Sequence, residues 1–154
     1  MLQTPHVIVG TAIAIKVGNP YLAIPLALAS HFVLDRVPHW NPHTYTEAMK
    51  FGIPKKQTIL LVLIDIGLAF GLGLLIASQF LPDYRRVFII LLAAFASVLP
   101  DIAKYPFFLF KKARKGLYKK YVDWERSMQT DVSLAPGVLT QLSIIVVGAW
   151  WLFT

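Results

Sequence analysis

Three stretches of this chain are almost entirely apolar, and the little polarity they hold sits at isolated positions. Gln57 to Phe80 carries one charge, Asp65, in 24 residues, while Val87 to Pro100 and Val138 to Phe153 carry none. Runs of this length and character predict membrane-spanning helices, the shorter ones extended by their flanks. Two shorter apolar stretches precede them. Thr4-Pro5 suits a helix start, with Thr4 as N-cap and Pro5 at the first helical position, and Gly18-Asn19-Pro20 ends it. At about 14 residues this helix is roughly 21 Å long, short of a bilayer core of roughly 30 Å. A second helix, from about Tyr21 to Asp35, is equally short, so the pair is predicted to form a tilted or re-entrant hairpin.

The remaining punctuation divides the chain further. Pro38, Pro42 and Pro54 mark a polar connection over 36–56, with room for a short interfacial helix around Thr44 to Lys50. The third helix is expected from Lys56 to Phe80, with Gly67 and Gly71 spaced as a GxxxG packing face. The fourth runs from Tyr84 to Leu99, where Pro100 is expected to stop it, leaving 102–110 as a half-helix broken by Pro106. A basic helix with Tyr118, Tyr121 and Trp124 interleaved suits the headgroup level over 111–126. The last span, from Ser133 to Phe153, ends in the belt-forming pair Trp150-Trp151. The expected fold class is all-α: one integral membrane domain over 1–154, a polytopic transmembrane bundle of about 4–5 membrane helices, the first two hairpin-like, plus an interfacial basic helix.

Composition sharpens this. The chain is 56% hydrophobic and 15% charged, against about 25% charged in soluble domains. It has no cysteine, which excludes disulfides, thiolate nucleophiles and Cys-ligated zinc; any metal would need His, Asp or Glu. The start lacks a basic n-region, so no cleavable signal peptide is expected. The formal charge is +7, and 11 of the 15 bases fall in 36–56 and 111–126. Bases beside apolar spans read as topology signals and contacts to anionic lipid rather than nucleic acid. The expected setting is therefore the inner (plasma) membrane, multi-pass, with the basic loops cytoplasmic. The small-residue helix faces also admit a homodimer.

The polar residues within the apolar frame are the candidates for chemistry. His31 and Asp35 are i and i+4, one turn apart on one helix face, a workable ligand pair for a divalent ion. His39 would continue that stripe, but Pro38 turns the chain there. The hairpin returns His31 and Asp35 to the side where His6 begins, and His6 at a helix N-terminus favours the neutral ring that ligation needs. Asp65 costs about 2.5–3.5 kcal/mol on insertion scales and so must face a partner or water; it reads as a ligand or general base, as a hydrogen-bonded acid in a packed bundle, or as part of an ion path. Asp101 stands at the Pro100 break. Glu125, beside Arg126, reads as a surface charge, and His43 has only proximity to offer. The histidines and Trp40 also fit a plainer role as interfacial anchors.

Pro5-His6-Val7-Ile8-Val9-Gly10, His31-Phe32-Val33-Leu34-Asp35-Arg36-Val37-Pro38-His39-Trp40 and Leu99-Pro100-Asp101, set among these spans, resemble the membrane-bound metal-dependent hydrolases, a bacterial inner-membrane family. The His31/Asp35/Pro38-His39 element is also similar, over that stretch alone, to zinc-dependent phospholipase C. After Leu99-Pro100-Asp101 this chain has Ile102-Ala103-Lys104 where the family tends to carry another Asp and a His. The resemblance implies His6, His31, Asp35 and Asp101 as metal ligands, with zinc or manganese as the ion. On that basis the chain is expected to hydrolyse a lipid-linked ester or phosphoester at the cytoplasmic membrane face, with Asp65 or His39 taking the proton. A non-enzymatic membrane scaffold binding lipid or a partner, and a small transporter or channel subunit using Asp65, are the other two classes the sequence admits.

Overall fold

The computed structural model describes residues 1–154 as seven α-helices without a sheet: α1 (Gln3–Val17), α2 (Pro20–Arg36), α3 (Thr44–Phe51), α4 (Lys56–Ser78), α5 (Tyr84–Leu109), α6 (Gly116–Ser127) and α7 (Leu134–Phe153). A single 3-10 turn, Lys111–Ala113, joins α5 to α6. Helices α4, α5 and α7 are each long and apolar enough to cross a membrane. Their outward faces expose large apolar side chains such as Leu60, Phe70, Phe88, Val146 and Phe153. Surface of that kind needs lipid as its solvent, and the chain is a membrane protein with transmembrane helices.

The shortest of the hydrophobic helices is the central one. α1 packs against α2, α4, α5 and α7, and ten of its residues are buried. Its neighbours make room with small side chains. Gly10 lies so close to α5 that an added Cβ would stand 2.7 Å from Ser97 Cβ, and one on Gly148 of α7 would stand 2.8 Å from Ile8 Cγ2. Such close backbone approach replaces the hydrophobic drive that lipid-embedded helices lack.

A helix start enclosed by protein needs partners for its free N–H groups. Asp65 of α4 supplies them for Gln3 (2.5 Å) and Thr4 (3.2 Å), and also accepts from the Thr4 hydroxyl at 2.7 Å. Gln141 of α7 accepts from Leu2 N–H at 2.9 Å. This requirement fixes which face of α4 turns inward: Asp65, Ala69, Gly73 and Ala77 form its buried stripe. Gly67 and Gly71, expected as a packing face, consequently look into open space, and a Cβ at either would have no neighbour within 4 Å.

The second departure from expectation is α5, which continues through Pro100 and Pro106 to Leu109 instead of stopping at Leu99. Pro100 and Pro106 remove the ladder donors to the Ala96 and Ile102 carbonyls, and around both positions side chains from elsewhere bond other carbonyls of the helix. The carbonyl of Ser97 meets His31 Nδ1 at 2.8 Å, and that of Pro100 accepts from the Tyr121 hydroxyl at 3.2 Å. The Ala103 carbonyl accepts from the Tyr118 hydroxyl, and Arg114 donates to those of Phe107 and Phe108. These bonds dock α6 and α2 onto α5 along its proline-containing half.

The α1–α2 turn uses Gly18 in the left-handed region (φ 68°) and Asn19, whose side chain accepts from Tyr21 N–H. α2 ends at Arg36, as Pro38 requires. The following segment pairs its backbone with residues 130–132: His39 N–H donates to the Thr130 carbonyl at 3.0 Å, and Val132 N–H to that of His39 at 2.9 Å. Gly137 is where this strap crosses α7, because any Cβ there would strike the Trp40 backbone nitrogen.

Candidate metal centre

Helix arithmetic explains why the polar residues meet. His6 is 11 residues before the end of α1 and His31 is 11 residues after the start of α2, so across an antiparallel hairpin they stand level, both roughly 16 Å from the turn. The rings stack, with centroids 4.2 Å apart. Asp35 lies one turn beyond His31. Asp101 is eight residues from the C-terminal end of α5, and Asp65 nine from the start of antiparallel α4, both at a depth of about 12–14 Å.

His6, His31, Asp35 and Asp101 are brought together and all are buried. His31 Nε2 lies 3.3 Å from Asp35 Oδ2, 3.9 Å from Asp101 Oδ1 and 3.8 Å from Glu125 Oε1, and His6 Nε2 lies 3.4 Å from Asp35 Oδ1. They form two overlapping donor sets, His6–His31–Asp101 and His31–Asp35–Asp101–Glu125, each with its donor atoms within 4.8 Å of one another. Two ligands at about 2.0–2.2 Å from one ion stand at most about 4.4 Å apart, so small side-chain rotations close either set.

The hydrogen bonding of the cluster matches ligation. A carbonyl only accepts, so His31 Nδ1 carries the proton directed at Ser97; in the neutral ring this leaves the Nε2 lone pair facing the carboxylates. That Nε2 and both ring nitrogens of His6 are buried without a hydrogen-bond partner. Three carboxylates meet in the same place. Lys104 offsets two of them, its Nζ 2.6 Å from Asp101 and 2.7 Å from Glu125, and the Met1 nitrogen stands 2.7 Å from Asp35. Gln129 donates to both Glu125 (2.8 Å) and Asp35 (3.3 Å), tying α6 to α2. A divalent ion fits this donor set: mixed His and carboxylate ligands, excess negative charge and orphaned imidazole nitrogens.

His39 is next to the cluster, with Nε2 3.8 Å from Asp35 Oδ1. Its Nδ1 donates to the Val37 carbonyl at 2.7 Å, which leaves Nε2 as the acceptor. Asn41 Nδ2 approaches that nitrogen at 3.0 Å but also Asp131 Oδ1 at 2.7 Å and Gln129 Oε1 at 2.8 Å. Asn41 thus holds its two N–H groups among three acceptors, of which His39 Nε2 is one and the two oxygens are nearer. Burial pushes His39 below the usual histidine value. Asp65 lies beside the cluster rather than in it. Both its oxygens serve the start of α1, and it connects to Asp101 through Gln3, whose Nε2 donates to Asp101 at 2.6 Å. His43 is exposed at the start of α3, outside the site.

Glu125 and Lys104 are the members that sequence reasoning missed. Glu125 is 1% exposed, not a surface charge. The signal was the i, i+3 pair of Val122 and Glu125, the buried face of α6; the paired signal on α5 was Asp101 and Lys104, also i, i+3. A cavity of about 350 Å³ adjoins the cluster, with Asp65, Asp101, Lys104 and Glu125 at its polar end and Val62 and Phe108 on its apolar wall. Comparison of the chain with known protein families, with curated proteins and with solved structures finds no match.

Proposed function

We propose that the chain is a membrane-embedded, metal-dependent hydrolase acting on a lipid-linked ester or phosphoester. One observation carries this reading: the buried, unpartnered Nε2 of His31, facing Asp35, Asp101 and Glu125. An imidazole lone pair desolvated among carboxylates is costly unless something occupies it. His31, Asp35 and Asp101 with His6 or Glu125 would hold zinc or manganese. When bound, such an ion supplies Lewis-acid polarisation of a phosphoryl or carbonyl oxygen and an acidified water. His39 takes the proton: its Nδ1–H is committed to Val37, and its Nε2, the ring's acceptor, is released when Asn41 gives its two N–H groups to Asp131 and Gln129. Asp65 keeps Gln3 in place and through it orients Asp101.

Orientation follows from charge. The connections carrying most of the bases, around α3 and α6, lie at the end of the bundle nearest the cluster, which supports a site at the cytoplasmic face of the inner membrane, with α1 enclosed among the spanning helices and α2 beside it exposing Tyr21, Leu22 and Val33. Exposed Lys55, Lys56, Lys111 and Lys112 suit anionic headgroups at that face. The test is metal analysis of the purified protein. Wild type retains close to stoichiometric zinc or manganese, and the joint His31→Ala, Asp35→Asn variant retains none while remaining helical; equal metal content in both would overturn the reading.

A further inference from the structure

Two donor sets overlap in the cluster, and their hydrogen bonding tells them apart. In the four-donor set every member is held by a residue outside it. His31 Nδ1 is tied to the Ser97 carbonyl at 2.8 Å, and Asp101 accepts from Gln3 Nε2 at 2.6 Å. Asp35 and Glu125 share one holder: Gln129 Nε2 donates to Asp35 Oδ2 at 3.3 Å and to Glu125 Oε1 at 2.8 Å. Metal ligands carry outer partners of this kind, which fix the ring and carboxylate orientations. The three-donor set has His6 in place of Asp35 and Glu125, and neither ring nitrogen of His6 has a hydrogen-bond partner. His6 stacks on the His31 ring and stands 3.4 Å from Asp35 Oδ1, the place of an outer neighbour. What the four donors surround is the buried, unpartnered Nε2 of His31.

We infer that a divalent ion is held by His31, Asp35, Asp101 and Glu125 rather than by the His6 set, and that Gln129 is the positioning residue that brings Asp35 and Glu125 to it. The inference rests on the metal-dependent reading above and says which residues serve it. Gln129 lies just beyond the end of α6 and is fixed from both sides. Its Oε1 accepts from Asn41 Nδ2 at 2.8 Å, and an amide turned the other way would aim that oxygen at two carboxylates. The next residue pins the backbone: Thr130 N–H donates to the Asp35 carbonyl at 3.0 Å, and the Thr130 carbonyl accepts from His39 N–H at 3.0 Å. α2 and α6 each bring one carboxylate, with ligand oxygens within 4.8 Å of each other. Like charges enclosed at that range repel, and the two N–H groups of Gln129 hold them together until a cation joins them. The interfacial helix α6 is thereby part of the metal centre, through Glu125 as ligand and Gln129 behind it.

The chain has no cysteine, so Co²⁺ can be titrated without interference from thiolates, and its visible bands report the ligands around it. The full-length protein in detergent is stripped with chelator, titrated with Co²⁺ and then competed with Zn²⁺. Gln129→Met keeps the length of the side chain and removes both N–H groups; it should weaken the affinity about 10–100-fold and shift the cobalt bands, because both carboxylates lose their orientation. A residue that served only to dock α6 would lower the melting temperature and move neither. Asn41→Ala, which frees the Gln129 oxygen without touching a ligand, should weaken the affinity by a smaller factor. Glu125→Gln should change the bands and the affinity together, whereas His6→Phe, which keeps a ring against His31, should leave the bands as in wild type. Bands lost in His6→Phe but kept in Glu125→Gln would overturn the inference in favour of the three-donor set, and so would an affinity unchanged in both Gln129→Met and Asn41→Ala. Wild type that takes up neither cobalt nor zinc would remove the hydrolase reading itself, and this inference with it.

Discussion

Two groups of buried polar residues lie within a few ångströms of each other in this bundle, and they differ in one respect. Around the start of α1, Asp65 and Gln141 meet the backbone N–H groups of Leu2, Gln3 and Thr4, and both Asp65 oxygens find donors. One turn away, His6, His31, Asp35, Asp101 and Glu125 are just as buried, yet three imidazole nitrogens point at one another's neighbours and bond to nothing. In the first group the backbone N–H groups and Asp65 are all paired, and only the Gln3 side-chain oxygen is left over. The second leaves imidazole nitrogens over, and this is the observation from which the metal proposal starts. Burial of a charge in a membrane helix does not separate architecture from chemistry; the count of donors and acceptors left over does.

Breaking the second group has the largest expected effect. His31→Ala with Asp35→Asn removes one of the two residues shared by both donor sets, the other being Asp101, together with its helical partner. On the proposed hydrolase reading, turnover of a lipid phosphoester should fall by about a thousandfold or more, the several kcal/mol a bound Lewis acid would contribute. The helical circular dichroism should be retained. The same comparison predicts a metal-dependent stability for Lys104→Met. Without metal, the substitution strips Asp101 and Glu125 of their cation and should cost about 3–5 kcal/mol. With zinc or manganese present, most of that loss should be recovered, because the ion supplies the missing charge. A thermal melt in detergent with and without metal reads this directly, and an equal loss in both conditions would reduce Lys104 to a structural ion-pair partner.

The first group should respond in the opposite way. Asp65→Ala leaves the Gln3 and Thr4 N–H groups enclosed without acceptors, at about 1–3 kcal/mol for each orphaned group. Unfolding should shift by a few kcal/mol in total while bound metal stays stoichiometric. Asp65→Asn keeps one acceptor oxygen and should lose less. Loss of metal from Asp65→Asn at unchanged stability would move Asp65 into the chemical group and erase the distinction between the two.

Much of this was legible in the chain, and the failures have one physical source. The spanning helices follow from uninterrupted apolar runs, and the convergence of His6 with His31 and Asp35 follows from hairpin arithmetic. Asp65 was visible as an anomaly, but its partner was invisible, because nothing in a sequence says that the start of another helix will be enclosed beside it. The Gly67/Gly71 face failed for the same reason: the demand of α1 for a cap rotates α4 so that Gly73 faces inward instead. Pro100 and Pro106 do not end α5, and the side chains that brace the helix around them, His31, Tyr118, Tyr121 and Arg114, come from other segments and so are not legible at the prolines themselves. Glu125 was hidden by the bases around it, its buried side being set by docking onto α5.

The smallest expected effect lies at the border between the two groups, at His39. Its ring is enclosed as the neutral Nδ1–H tautomer, and burial lowers its proton affinity below the ordinary value of 6.5. The unfolded chain therefore binds a proton at His39 before the folded chain does. Lowering the pH through about 6.5 should reduce the stability of the metal-free protein, and the loss should level off once the pH is below the folded-state value. His39→Asn places an amide N–H where Nδ1 stands, keeps the bond to Val37 and removes the titration. The difference between wild type and this variant, followed by unfolding midpoints across the acidic range, should grow as pH falls and vanish above neutrality. A difference that is flat in pH would mean that His39 is held by its hydrogen bonds alone, belongs with the satisfied group around Asp65, and has no open lone pair to offer as a base.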